Sequence, residues 1–136
     1  MRWPKKTAIF AMLVMLSALE LNAQTYKYQT YNFAFATKDR YGLWSDWSDW
    51  KSSDMLVVFN GDKDRITIYS ERIQEYDIYE SEGRERDEYG GTTAAFMCVD
   101  DNGLRCRIRV REQADGAVQL YIDYKDIMWV YEIRKR

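Results

Sequence analysis

The residues best equipped for recognition stand together in one short segment, Trp44-Ser45-Asp46-Trp47-Ser48-Asp49-Trp50. An indole offers a flat apolar face with one N–H donor on its edge. The intervening Asp and Ser side chains add hydrogen-bonding groups, so the segment is suited to a sugar ring or a protein partner. On a strand, side chains alternate between faces. That spacing predicts Trp44 and Trp50 on one face and Trp47 on the other, with at least one ring at the surface or at a sheet edge. A second pattern is Arg105, Arg107, Arg109 and Arg111, which occupy every second position and form a comb opposite Ile108 and Val110. Guanidinium groups grip sulfate, phosphate or carboxylate through paired hydrogen bonds. The same comb is equally a solvated ladder neutralised by acids on neighbouring strands. The candidate binding residues are thus Trp44, Asp46, Trp47, Asp49, Trp50 and the four arginines.

Catalytic chemistry has little to work with. The chain has no His, which removes imidazole acid-base catalysis, His-based triads and His metal ligands. Two cysteines, Cys98 and Cys106, cannot build a tetrahedral zinc site alone. They are expected to be structural, as a cross-strand disulfide or as a reduced, buried pair. The acidic clusters Asp62-Lys63-Asp64, Asp100-Asp101 and those of residues 81–91 lack the twelve-residue calcium spacing with its closing Glu. No pattern implies a cofactor or a metal. A carboxylate-dependent hydrolase would need two acids facing each other across a groove, for which so small a domain has little room. The expectation is a non-enzymatic protein.

These groups must be positioned by whatever follows the first two dozen residues. Met1-Arg-Trp-Pro-Lys-Lys6 and the apolar run Thr7 to Leu19 have the basic and hydrophobic regions of a secretory signal peptide. The run is shorter than the ~20 residues a membrane span requires. Cleavage after Ala23 is expected, giving a leader at 1–23 and one domain at 24–136 that is exported to the periplasm or secreted, with no stable membrane span. Losing the leader removes three of the twenty basic and one of the twenty-two acidic residues, leaving 17 against 21 and a net charge of −4. That balance does not favour nucleic-acid binding, which needs a basic footprint.

Past the leader, β-branched and aromatic residues alternate with polar ones in short runs ended by Gly, Asn or Asp, the pattern of an antiparallel all-β protein. Strands are expected near 25–37, 43–51, 55–60, 65–70, 72–80, 92–100, 104–113, 117–124 and 127–134. Residues 81–91 are expected to form the longest loop. A bulge is expected near Gln29 and Thr30, where the aromatic parity changes, and Met55 to Phe59 reads as a strand buried on both faces. Asp101-Asn102-Gly103 and Ala114-Asp115-Gly116 suit three-residue hairpin loops. They set Cys98 opposite Cys106, Phe96 opposite Ile108, Val110 opposite Leu120 and Arg107 opposite Asp123. A turn at Lys125-Asp126 continues the meander, and all three loops keep the even-numbered face apolar up to Tyr124. A one-residue slip would expose that face. The fold class is all-β: an antiparallel meander forming a small barrel or strongly curved sheet, with a two-sheet sandwich as the alternative.

In size, leader and strand order the chain resembles the small exported barrels of bacterial envelopes, and Asn22-Ala23 before Gln24 resembles leader ends of Bacteroidota. That resemblance implies export and a barrel and identifies no function. Residues 44–50 resemble the tryptophan-serine box of cytokine receptors and the spaced tryptophans of thrombospondin repeats. The match is confined to those seven residues, the paired cysteines and flanking strands of both families are missing, and no role carries over. Three functions follow as expectations: a binding module for a glycan or protein partner through exposed aromatics, a lipocalin-like carrier of a small apolar ligand, and, last, the hydrolase.

Overall fold

The computed structural model describes residues 25–136, so the expected leader lies outside the described residues. The strands are β1 (Thr25–Thr37), β2 (Lys51–Ser52), β3 (Leu56–Asn60), β4 (Arg65–Tyr69), β5 (Ile73–Arg86), β6 (Thr92–Asp100), β7 (Arg105–Glu112), β8 (Val118–Asp123) and β9 (Ile127–Lys135). They form one antiparallel sheet in the order β2-β1-β3-β4-β5-β6-β7-β8-β9. β1 also pairs with β9 from Tyr28↔Lys135 to Thr37↔Ile127, which closes an eight-stranded barrel with β2 as a side extension. The chain is therefore a barrel and not a sandwich. Closure leaves few of the unpaired edges that an open meander would carry. Among the described residues no helix is long and apolar enough to cross a membrane.

The interior follows the expected parity. Phe96 pairs with Ile108, Ile108 with Ile122, Val110 with Leu120, and Leu120 with Tyr131. These inward side chains join Phe59, Ile66, Ile68, Ile78 and Ile133 in a continuous buried cluster. The bulge in β1 falls at Tyr31, between the Thr30 and Asn32 pairs. Met55 to Phe59 departs from expectation: Val57 and Phe59 are fully buried while Leu56 and Val58 are partly exposed. Barrel closure gives this strand one interior face, not the two faces of a parallel sheet.

Four hairpins repeat one design. At Asp39–Leu43, Asp87–Gly91, Asp100–Leu104 and Gln113–Ala117, the first residue's N–H donates to the fifth residue's carbonyl and the fourth, a Gly, donates back to the first carbonyl. In the first three an Asp Oδ1 at the opening position also accepts two N–H groups from the loop. Each Gly has φ between 81° and 90°, the left-handed conformation that closes a three-residue loop.

Residues 81–91 are not a long loop. β5 runs on to Arg86 and turns tightly through Asp87–Gly91. Its pairing with β6 skips Tyr79 and Glu82, two bulges that absorb the irregular parity which read as loop sequence. Cys98 and Cys106 face each other as expected, and both are free, buried thiols, the reduced pair of the two alternatives and not the disulfide. Asp100 and Leu104 close their loop as a hydrogen-bonded pair, and pair types alternate along an antiparallel ladder. Cys98–Cys106 is therefore also of the wider, hydrogen-bonded kind, with Cα atoms about 5.5 Å apart and side chains held farther apart than in the other kind. A bridge wants its Cβ atoms near ~3.8 Å.

Burial pushes the Cys98 thiol up and holds Cys106 at about 12. Neither thiol is expected to react with an alkylating reagent at pH 8 until the barrel is unfolded. Mass spectrometry after alkylation checks this, and recovery of a species lacking both thiol hydrogens would contradict it.

Candidate functional site

The Trp segment is held to β1 in an unforeseen way. The pair Lys38↔Trp44 is an isolated bridge. From there Ser45 N donates to Thr37 O at 2.7 Å and Ser48 N to Phe35 O at 2.8 Å, and Lys51 pairs with Phe33. Each step of two residues along β1 is thus matched by three along the opposite segment, a bulge repeated in series. The serines make this possible. Thr37 N donates to Ser45 Oγ at 3.0 Å and Phe35 N to Ser48 Oγ at 2.9 Å, and each hydroxyl donates onward to the carbonyl of the next residue, Asp46 or Asp49. A hydroxyl relay fills the gap that the extra residue opens in the ladder. Thr30 does similar work at the lower end, its Oγ1 accepting Met55 N at 2.8 Å and meeting Ser53 Oγ at 2.8 Å.

This corrects the period-two expectation. With a period of three, Trp44, Trp47 and Trp50 occupy equivalent positions, and their exposures agree at 39%, 44% and 48%. Successive rings bracket two residues of β1, so they follow one another at about 7 Å along this edge. Asp46 and Asp49 are exposed between them.

Trp47 lies edge-on to Tyr121, with ring centroids 6.3 Å apart. Tyr121 points outward from β8, in a row with Val130 and Ala34. Ala34 and Val130 are buried although they face away from the interior, so the Trp segment covers this part of the outer wall, where small side chains leave room for it. Arg109 stacks on the other side of the row, its guanidinium 4.2 Å from the Tyr121 centroid. One continuous outer surface therefore joins the two groups of residues singled out from sequence.

The arginine comb is largely occupied. Arg109 makes two bonds to Asp123, at 2.6 and 3.0 Å. Arg107 meets Glu82 at 2.7 Å and Arg111 meets Asp87 at 3.0 Å. Arg105 lies over the Tyr79 ring at 5.7 Å. The bulged residues of β5, Tyr79 and Glu82, are the ones that supply partners to Arg105 and Arg107, consistent with a bulge re-aiming its side chain. Gly91 sits beside the last pair, where a Cβ would come within 2.7 Å of Arg111 Nη2 and 2.8 Å of Asp87 Oδ2. The register Arg107↔Asp123 is as expected, but the ion pair forms diagonally, from Arg109. An incoming anion would have to displace a built-in carboxylate at three of the four arginines.

A polar groove of about 230 Å³ at one rim escaped the sequence reading. It is lined by Arg72, Gln74, Tyr76, Asp100, Asp101, Asn102 and Tyr124. Tyr124 donates to Asp100 Oδ2 at 2.7 Å and Tyr76 to Gln74 Oε1 at 2.7 Å. Burial would raise the Asp100 carboxyl, but the hydrogen bonds from Tyr124, Leu104 and Asn102 outweigh it and leave it below the usual range. Burial raises Tyr76 and Tyr124 well above the ordinary phenol value, and Tyr26, Tyr121 and Tyr131 are raised for the same reason. The folded state keeps these protons while an unfolded phenol loses its own near pH ~10. Stability that is complete below that pH is therefore expected to fall as pH rises above it. Tyrosinate absorbance followed alongside circular dichroism should show these phenols ionising only as the barrel unfolds, after the exposed ones.

No protein-family model, curated protein or solved structure matches this chain.

Proposed function

We propose that this protein is an exported, non-enzymatic binding module that holds a glycan on its outer wall, along Trp44, Trp47 and Trp50. The observation that carries the proposal is the three-residue step, which sets three half-exposed indoles in one row with a carboxylate between each pair. Indole faces stack on the C–H faces of sugar rings, and Asp46 and Asp49 stand ready to accept from sugar hydroxyls. The hydroxyl relay supports this reading because it fixes the row to β1 and keeps the rings from collapsing into the core. Tyr121, braced by Arg109 and Asp123, extends the surface beyond Trp47.

The carrier reading needs an interior cavity, and Phe59, Phe96, Ile66, Ile108 and Leu120 stand where it would be, each fully buried. The outer wall is the better-supported location. Indole N–H resonances of the 15N-labelled protein, titrated with a pool of bacterial surface oligosaccharides, test the proposal. Shifts at Trp44, Trp47 and Trp50 with Trp129 unmoved are expected. A ligand that moves Trp129 alone would place binding elsewhere and overturn the assignment.

A further inference from the structure

Up-and-down strand order brings the Asp39–Leu43 hairpin to the same rim as the turns at 70–72, 101–103 and 124–126. Lys38 N bonds Asp126 O at this rim, and beyond it the hairpin is held together by its own bonds. Asp39 N donates to Leu43 O at 2.9 Å, and Asp39 Oδ1 accepts Tyr41 N at 2.8 Å and Leu43 N at 3.0 Å. This tip is therefore fixed in shape, yet Tyr41 and Leu43 are 73% and 67% exposed. Apolar side chains held outward by a braced turn need a different explanation from those on a loose loop.

We infer that the tip, Lys38 to Leu43, docks the protein on an anionic membrane surface, with Trp44 the one residue it shares with the glycan row. Its chemistry is layered as an interface requires. Leu43 and the Tyr41 ring are suited to the acyl boundary, and amphipathic aromatic rings favour the headgroup level. Each ring carries a cation: Arg40 lies 4.9 Å from the Tyr41 centroid and Lys38 5.0 Å from that of Trp44. Among the described residues neither cation has a carboxylate partner, unlike Arg107, Arg109 and Arg111, so both remain available to lipid phosphates. The one acid within the tip, Asp39, spends an oxygen on the turn's own N–H groups. Two apolar side chains fall far short of the ~800 Å² per partner that a stable protein interface buries, whereas weak, reversible membrane attachment sets no such threshold.

Flotation of the mature protein with vesicles of phosphatidylcholine, alone or mixed with phosphatidylglycerol, tests this. Binding to the mixed vesicles, weakened by salt, is expected. Leu43→Glu should reduce partitioning at least about ten-fold, and replacing Lys38 and Arg40 by Gln should abolish the preference for phosphatidylglycerol. Trp47→Ala, outside the tip, should float as wild type does. Leu43 is exposed enough that its variant is expected to fold, which circular dichroism checks. Wild type that stays with the soluble fraction overturns the inference and leaves the tip to a protein partner. Flotation unchanged by Leu43→Glu and by the cation replacements overturns it as well.

Discussion

Phe96→Ala is expected to destabilise the barrel by about 3–5 kcal/mol, the range for emptying a fully buried Phe site, and to lower the thermal midpoint by roughly 15 °C or more. Phe96 is 0% exposed, pairs across the ladder with Ile108 and Ser81, and sits in the cluster that runs through the whole interior. The surrounding strands are fixed by their ladders and cannot collapse around the gap, which is why the upper part of the range applies. Chemical denaturation of both proteins measures the loss. A cost below about 1 kcal/mol would mean that the interior is loosely filled, and would return the carrier reading to consideration.

The second large effect belongs to the serines under the Trp row. Ser45→Ala and Ser48→Ala each remove an acceptor from a β1 N–H and a donor from an Asp carbonyl. Each hydrogen bond lost is worth about 0.5–1.5 kcal/mol, and the double variant, which loses four, should release the segment from β1 while the rest of the barrel stays folded. Amide exchange at Phe35 and Thr37 should rise sharply, with exchange at Phe96 and Ile108 unchanged. Replacement by Thr, which keeps the hydroxyl, should restore most of the protection. Uniform loss of protection across the barrel would instead show that the segment and the core unfold together.

The contrast between the two variants explains what could be read from sequence. The meander from Thr92 onward was legible because loop chemistry and apolar parity constrain each other: Gly103 and Gly116 fix the loops, and one register then buries Ala94, Phe96 and Cys98 on β6, Cys106, Ile108 and Val110 on β7, and Leu120 and Ile122 on β8. The Trp segment offered no such check. Its step of three depends on serine hydroxyls standing in for backbone acceptors, and serine is as common in ordinary strands and turns. β5 beyond Glu80 was misread because its side chains are charged or small and Glu82 faces the arginine comb rather than a core, so apolar periodicity is absent where pairing continues. The signal that would have found the first and second hairpin turns is the spacing Asp39-x-x-Gly42 and Asp87-x-x-Gly90, the same as the Asp100-x-x-Gly103 of the third. The groove at Tyr76 and Tyr124 draws on β5, the β6–β7 turn and the end of β8, which no local sequence period brings together.

Hydrogen bonds to two turn carboxylates also set the acid limit of the fold. Hydrogen bonds from Gly91, Arg111 and Tyr89 hold Asp87 below the usual carboxylate range, as those to Asp100 do. A depressed carboxyl contributes stability that is present above its unfolded pKa of about 3.9 and is lost as pH falls through the lower folded value. The barrel should thus be most stable between these acid and alkaline limits, which is where the proposed glycan surface should be assayed.

The most direct test of that surface is a glycan array probed with the mature wild-type protein, with the variant carrying Trp44→Ala, Trp47→Ala and Trp50→Ala, and with Leu43→Glu. Wild type and Leu43→Glu are expected to bind the same glycans, and the triple variant, folded by circular dichroism, none of them. A folded triple variant that keeps the wild-type pattern, or a wild-type protein that binds no glycan, would contradict a binding site on the Trp row.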